Sequence, residues 1–177
     1  MPTRPTHPHA HEQATTGTTA ETTTESTTGA TRRAVGTFGF ADWRERPLGP
    51  EATEDTEDAK GTRLAHASVR NSFSGDIEAA DTLCEYTVAY TPEGTGGFAG
   101  LELVTGTLAG LAGAFVLEER GTFTEHGTVD CAFTVVPGSG TGALTGLAGT
   151  GSFVHRPGQR AVPYTFDYSL PGDGRAS

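Results

Sequence analysis

The chain has 177 residues, enough for one ordinary domain, and 30 Thr and 25 Gly make up nearly a third of it. Both are poor helix formers and only 34% of the chain is apolar, which argues against a helical bundle and against a large α/β enzyme. Twenty-two acidic against twelve basic side chains give a formal charge of −10, a sign that repels phosphate backbones and anionic bilayer surfaces, so neither nucleic acid nor a membrane is an expected partner.

Residues 1–33 hold 12 of the 30 Thr and no Leu, Ile, Val, Phe, Trp or Tyr. Such a segment cannot bury enough apolar surface to offset the entropy of ordering, and a disordered arm is predicted. His7, His9 and His11 alternate within it in a Pro-broken stretch, but no Cys or carboxylate stands at fixed geometry beside them, so no metal is assigned there. Residues 171–177 are read as a flexible tail, which leaves 34–170 as the folded domain.

From Ala34 the pattern changes to short alternating runs separated by Gly and Pro, spaced as in barrels and sandwiches. Strands are predicted at 35–43, 63–73, 83–90, 98–107, 114–123, 128–135, 149–155 and 162–168. Between the first two lies an acidic stretch, with Glu51, Glu54, Asp55, Glu57 and Asp58 crowded together; its spacing matches no calcium loop, and it reads as a solvated loop. No interval has the pattern of a helix: 51–60 is polar all round, and 143–148 is short with an internal Gly. Eight antiparallel strands without a helix to cover an edge favour closure into a barrel.

In the second strand Ala65, Ala67, Val69, Asn71 and Phe73 form one alternating set, which is expected to face inward; Asn71, the only Asn, then needs a partner or a ligand. Asp76 and Glu78 flank Ile77 just after it and share a face, where they either hold a proton between them or satisfy turn amides. In the third strand Cys84, Tyr86, Val88 and Tyr90 form the inward set, leaving Glu85 outside. In the fourth, Glu102 shares a face with Phe98 and Val104. Inward, it is a candidate general acid or base; outward, it is a surface salt-bridge partner.

A nonapeptide, residues 105–113, recurs at 141–149 with seven identities in nine at an offset of 36. Each copy is expected to form a glycine-rich corner leading into a strand, its two leucines plugging a barrel end. Gly138, Gly140 and Gly142 around Ser139 and Thr141 lack the Lys and the following helix of a phosphate loop, and Ser139 is not in a nucleophile elbow. Cys84 and Cys131 lie within strands, so free, half-buried thiols are expected, and His66, His126 and His155 are isolated from one another. The first residues have no apolar core of a signal peptide and no run approaches a membrane span, which points to a cytoplasmic protein.

Five ordered blocks carry a family resemblance: Gly36, Thr37 and Phe38 with Trp43; residues 72–78; Gly100, Leu101 and Glu102; 113–117 with 121–123; and 135–142. Over residues 34–168 they resemble a bacterial domain-of-unknown-function family, number 3224. The resemblance implies a small antiparallel eight-stranded barrel similar to allene oxide cyclase, and no particular reaction.

Three functional readings follow. The first is a small barrel that holds an apolar or mixed-polarity small molecule in its lumen, a cofactor-free cyclase or isomerase being its catalytic form; Trp43, Phe73, Tyr86 and Tyr90 would line the pocket, with Asn71 and Glu102 as polar contacts. It fails if side chains fill the lumen. The second is a hydrolase using Asp76, Glu78 and Glu102, which requires two of them within hydrogen-bond reach in a cleft. The third is a non-catalytic assembly or stress module that associates with further copies of itself, favoured by a solid barrel with an apolar outer patch. None of the three calls for a metal or a cofactor.

Overall fold

In the computed structural model the described residues are 30–49 and 61–172. Most of the Thr-rich arm, the acidic stretch at 51–58 and the last five residues of the tail lie outside them. Eight strands form one closed barrel in chain order: β1 (Arg32–Leu48), β2 (Arg63–Gly75), β3 (Ile77–Tyr90), β4 (Gly96–Leu108), β5 (Leu111–Phe123), β6 (Val129–Val135), β7 (Ala148–His155) and β8 (Val162–Ser169). Every neighbour is antiparallel, and β1 closes the ring by pairing with β8. The remaining described element is a 3-10 turn, Gly142–Leu144, and no helix among the described residues is long and apolar enough to cross a membrane.

All eight expected strands are present, and the two largest differences in extent each coincide with a β-bulge. Strand β1 runs past Trp43 to Leu48, because Asp42 and Trp43 together stand opposite Val69, with Asp42 at φ 55°. Strand β3 begins at Ile77 instead of residue 83, because Ala80 and Asp81 stand opposite Ser72, with Asp81 at φ 56°. Each extra residue reverses which parity faces inward. Before its bulge β3 buries Ile77 and Ala79; after it, Thr82, Cys84, Tyr86 and Val88.

The two copies of the glycine-rich repeat do not build the same corner. In the first, Leu108 pairs with Leu111 across a two-residue hairpin whose central residues, Ala109 and Gly110, both have positive φ (50° and 79°), as a type I′ turn requires. The second follows β6, which ends at Val135 while its neighbour β5 is still unpaired toward Leu111. Here the chain lies along that edge: the Thr141 N–H donates to the Ala114 carbonyl at 2.9 Å, and the Ala114 N–H donates to Thr141 Oγ1 at 3.0 Å. The 3-10 turn then drops Leu144 and, just beyond it, Leu147 into the end of the barrel, where both are buried. One sequence thus makes a hairpin where two long strands flank it and a plug where one strand has stopped.

This plugged end is packed solid by Ile77, Leu108, Phe115, Leu117, Leu144, Leu147, Phe166 and Tyr168. Leu144→Ala would leave a cavity that the closed ring cannot collapse around. It is expected to lower the unfolding free energy by about 2–5 kcal/mol, read as a lower urea midpoint at an unchanged slope.

Candidate functional site

The opposite half of the barrel is hollow, and glycine is the cause. A Cβ on Gly96, Gly100 or Gly121 would collide with the ring of Phe123, Tyr86 or Phe98 respectively. The rings therefore lie flat over the glycines along the inner wall and line the lumen without filling it, with Tyr86 edge-on to Phe98 at 5.0 Å and Tyr90 edge-on to Phe123 at 5.2 Å. Beside them, β2 brings the small inward side chains Ala65, Ala67 and Val69, with Ala67 paired to Tyr86. What remains is an apolar cavity of about 310 Å³ at the barrel mouth, within the usual range for small-molecule sites. Trp43 and Tyr90 stand in its wall, Phe38, Phe153 and Asn71 also line it, and His155 is its one imidazole.

Trp43 reaches the cavity only because of the β1 bulge. Upstream, Phe38 and Phe40 carry the inward parity; downstream it passes to Trp43 and Glu45. Glu45 accepts from Tyr90 Oη at 2.7 Å and from Arg63 at 3.1 Å, while the Arg63 guanidinium lies 3.6 Å from the centre of the Tyr90 ring. Burial, and then Glu45, push the Tyr90 phenol up to about 12, so it stays a hydrogen-bond donor at the rim.

Between the hollow and packed halves lies a belt of buried polar groups. Glu102 is wholly buried; its Oε1 accepts from Asn71 Nδ2 at 2.8 Å and from Thr82 Oγ1 at 2.5 Å, while its Oε2 is buried without a partner. Glu119 is buried beside it and accepts at Oε2 from Tyr86 Oη at 2.5 Å and from Cys131 Sγ at 3.8 Å. Burial and the charge of Glu102 hold the Glu119 carboxyl well above the usual range. Burial also pushes up the Tyr86 phenol and the Cys84 and Cys131 thiols, with the charge of Glu119 as the next cause in each. A small void lined by Phe38, Asn71, Phe153, Glu102 and Glu119 separates this belt from the cavity above.

Of the residues expected to bind a ligand, Trp43, Asn71, Tyr86 and Tyr90 line the cavity; Phe73 lies below it, against Phe38 and Tyr164. The three expected carboxylates are not brought together. Glu102 faces inward at mid-barrel, whereas Asp76 sits at the β2–β3 turn, its Oδ2 accepting from the Val35 N–H at 2.8 Å, and Glu78 is exposed. Glu85 faces outward and pairs with His66 at 2.6 Å, and both cysteines are free and buried. Glu119 was not among the expected residues. Its own strand carried the signal, since Phe115, Leu117 and Glu119 share one parity; the neighbouring charges Glu118 and Arg120 make the same stretch read as a solvated run.

A family model described as "Protein of unknown function (DUF3224)" matches residues 34–168. Among solved structures, a protein of unknown function from the DUF3224 family of Shewanella oneidensis MR-1 is similar at 30% identity with a TM-score of 0.61, covering 80% of this chain and 100% of that one. No curated protein matches.

The buried belt has a measurable share in stability. Thr82→Val leaves Glu102 Oε1 with Asn71 alone and is expected to cost about 1–3 kcal/mol. Thr87→Val, outward on the same strand, is expected to stay within about 0.5 kcal/mol of the parent in the same denaturation experiment.

Proposed function

This chain belongs to the DUF3224 family, and we propose that its barrel holds one apolar small molecule in the mouth cavity. The observation that carries the reading is the contrast between the two ends of one lumen. The same closed sheet that buries Phe115, Phe166, Leu144 and Leu147 together at one end lays its rings flat against the wall at the other and leaves about 310 Å³ open. An apolar lining with few polar groups selects by shape and by apolar area removed from water. Asn71 at the floor and Tyr90 and His155 nearer the rim are the groups that would meet a carbonyl or hydroxyl on the ligand.

The reading stops at binding. The carboxyls Glu102 and Glu119, the candidates for acid–base work on a bound molecule, line the void beneath the cavity instead of the cavity itself, and His155 is read as a hydrogen-bonding group at the rim. The hydrolase reading draws no support from Asp76 and Glu78, which stand at the far turn and on the outer surface.

Trp43 is the only tryptophan and stands in the cavity wall, so its emission reports occupancy without a label. Titration with a homologous series of linear and cyclic ketones is expected to give a saturable blue shift of one-site form for the members that fit. Val129→Phe, which narrows the mouth, should weaken that binding at least tenfold while the protein stays folded by circular dichroism. A response that is linear in ligand and identical in the variant would sink the proposal.

A further inference from the structure

We propose that Cys84, Glu102 and Glu119, with Cys131 beside them, form a buried site for a divalent metal ion of the zinc class. Strand register places these residues in a row across the inner wall. Cys84 on β3 is the direct cross-strand partner of Glu102 on β4; Glu119 on β5 stands two residues beyond Leu117, the partner of Glu102; and Cys131 on β6 stands opposite Gly121, two beyond Glu119. Inward-facing neighbours on a closed, concave wall converge. One donor atom each from Cys84, Glu102 and Glu119 lies within 4.8 Å of the others, and Cys131 Sγ lies 3.8 Å from Glu119 Oε2.

Two further observations point to a ligand at this place. Glu102 is 0% exposed, yet its Oε2 has no hydrogen-bond partner and borders the void beside Glu119. A buried carboxylate oxygen without a donor costs free energy until a cation or a proton meets it. In addition, the buried polar and charged residues among those described are Asn71, Thr82, Glu102 and Glu119, with no basic side chain to compensate the carboxylates.

The remaining oxygens are already held in the way that orients metal ligands. Asn71 and Thr82 fix Glu102 through Oε1, which leaves its Oε2 for an ion, and Tyr86 holds Glu119 through Oε2. The donor set decides the class of metal. A sulfur with two carboxylates favours zinc or cobalt over magnesium or calcium, which take oxygen alone. Three protein donors from three neighbouring strands tie β3, β4 and β5 together and stabilise the fold, with the fourth position left open. The Cys84 thiol and the Glu119 carboxyl each give up their proton to solvent as the ion enters.

The site is separate from the cavity lining, so this inference stands or falls independently of ligand binding at the mouth. Full-length protein treated with chelator and then titrated with Co²⁺ is expected to take up one equivalent. It should develop the thiolate-to-cobalt charge-transfer absorption and intense visible bands of a tetrahedral site, lose both on adding Zn²⁺, and melt at a higher temperature with either metal. Because Cys84 and Cys131 are the only cysteines in the chain, a thiolate band in the parent protein already localises the ion. Cys84→Ser and Glu102→Gln should each weaken uptake at least tenfold. Changing His7, His9 and His11 together to Ala should leave it unaltered, which separates this site from adventitious binding to the arm. The proposal is overturned if no charge-transfer band forms, or if Co²⁺ uptake disappears with the three histidines and survives Cys84→Ser.

Discussion

Closing eight antiparallel strands into one ring leaves every residue a choice of two sides, and each side has its own solvent. In a strand the side chains alternate, so an inward residue has inward neighbours two positions away along the chain and directly across on both flanking strands. No edge remains at which a strand could slip without breaking two ladders at once. Nearly everything else in the molecule is a consequence of that constraint: which rings meet in the core, where the lumen is empty, and why four polar side chains from four successive strands end up in one row.

Within this frame glycine acts less as a turn residue than as a missing side chain. Where Gly96, Gly100 and Gly121 face inward, a neighbouring ring takes the vacant space and lies along the wall. The same device operates in the packed half, where the ring of Phe133 lies over Gly151. The difference between the two ends is what else points inward. At the plugged end Phe115, Phe166 and the two leucines of the second repeat copy fill the centre; at the mouth the inward residues of β2 beside the rings are the small Ala65 and Ala67, and the centre stays open.

The polar belt sits at the boundary between these halves. Buried carboxyls are costly unless every oxygen is met, and here three of the donors come from Asn71, Thr82 and Tyr86, each on a different element of the wall from its acceptor. An apolar barrel of this size could be built without such a belt. Its presence between an open cavity and the filled end makes it the part of the interior least accounted for by packing.

Composition, turn residues and alternation were enough to specify the all-β class, the number and order of strands, and the inward set of β2, because those are local properties of a period-2 pattern. The resemblance read from five blocks over 34–168 coincides with the family match. The inward face of Glu102 and the membership of Glu119 were beyond local reading: Glu102 has apolar neighbours on both parities, and Glu119 lies in the charged run Glu118, Glu119, Arg120. Trp43 and Thr82 reach the lumen through two bulges, and a bulge shifts parity by one residue without leaving a mark in hydropathy. The repeat shows the same division from the other side, since nearly identical nonapeptides form a hairpin and a plug according to whether a neighbouring strand is still there to pair with. The sequence by itself therefore determined which segments become strands and that they close on one another. Only the tertiary structure decided register, bulge position and the meeting of side chains across strands, because these depend on contacts between residues far apart in the chain.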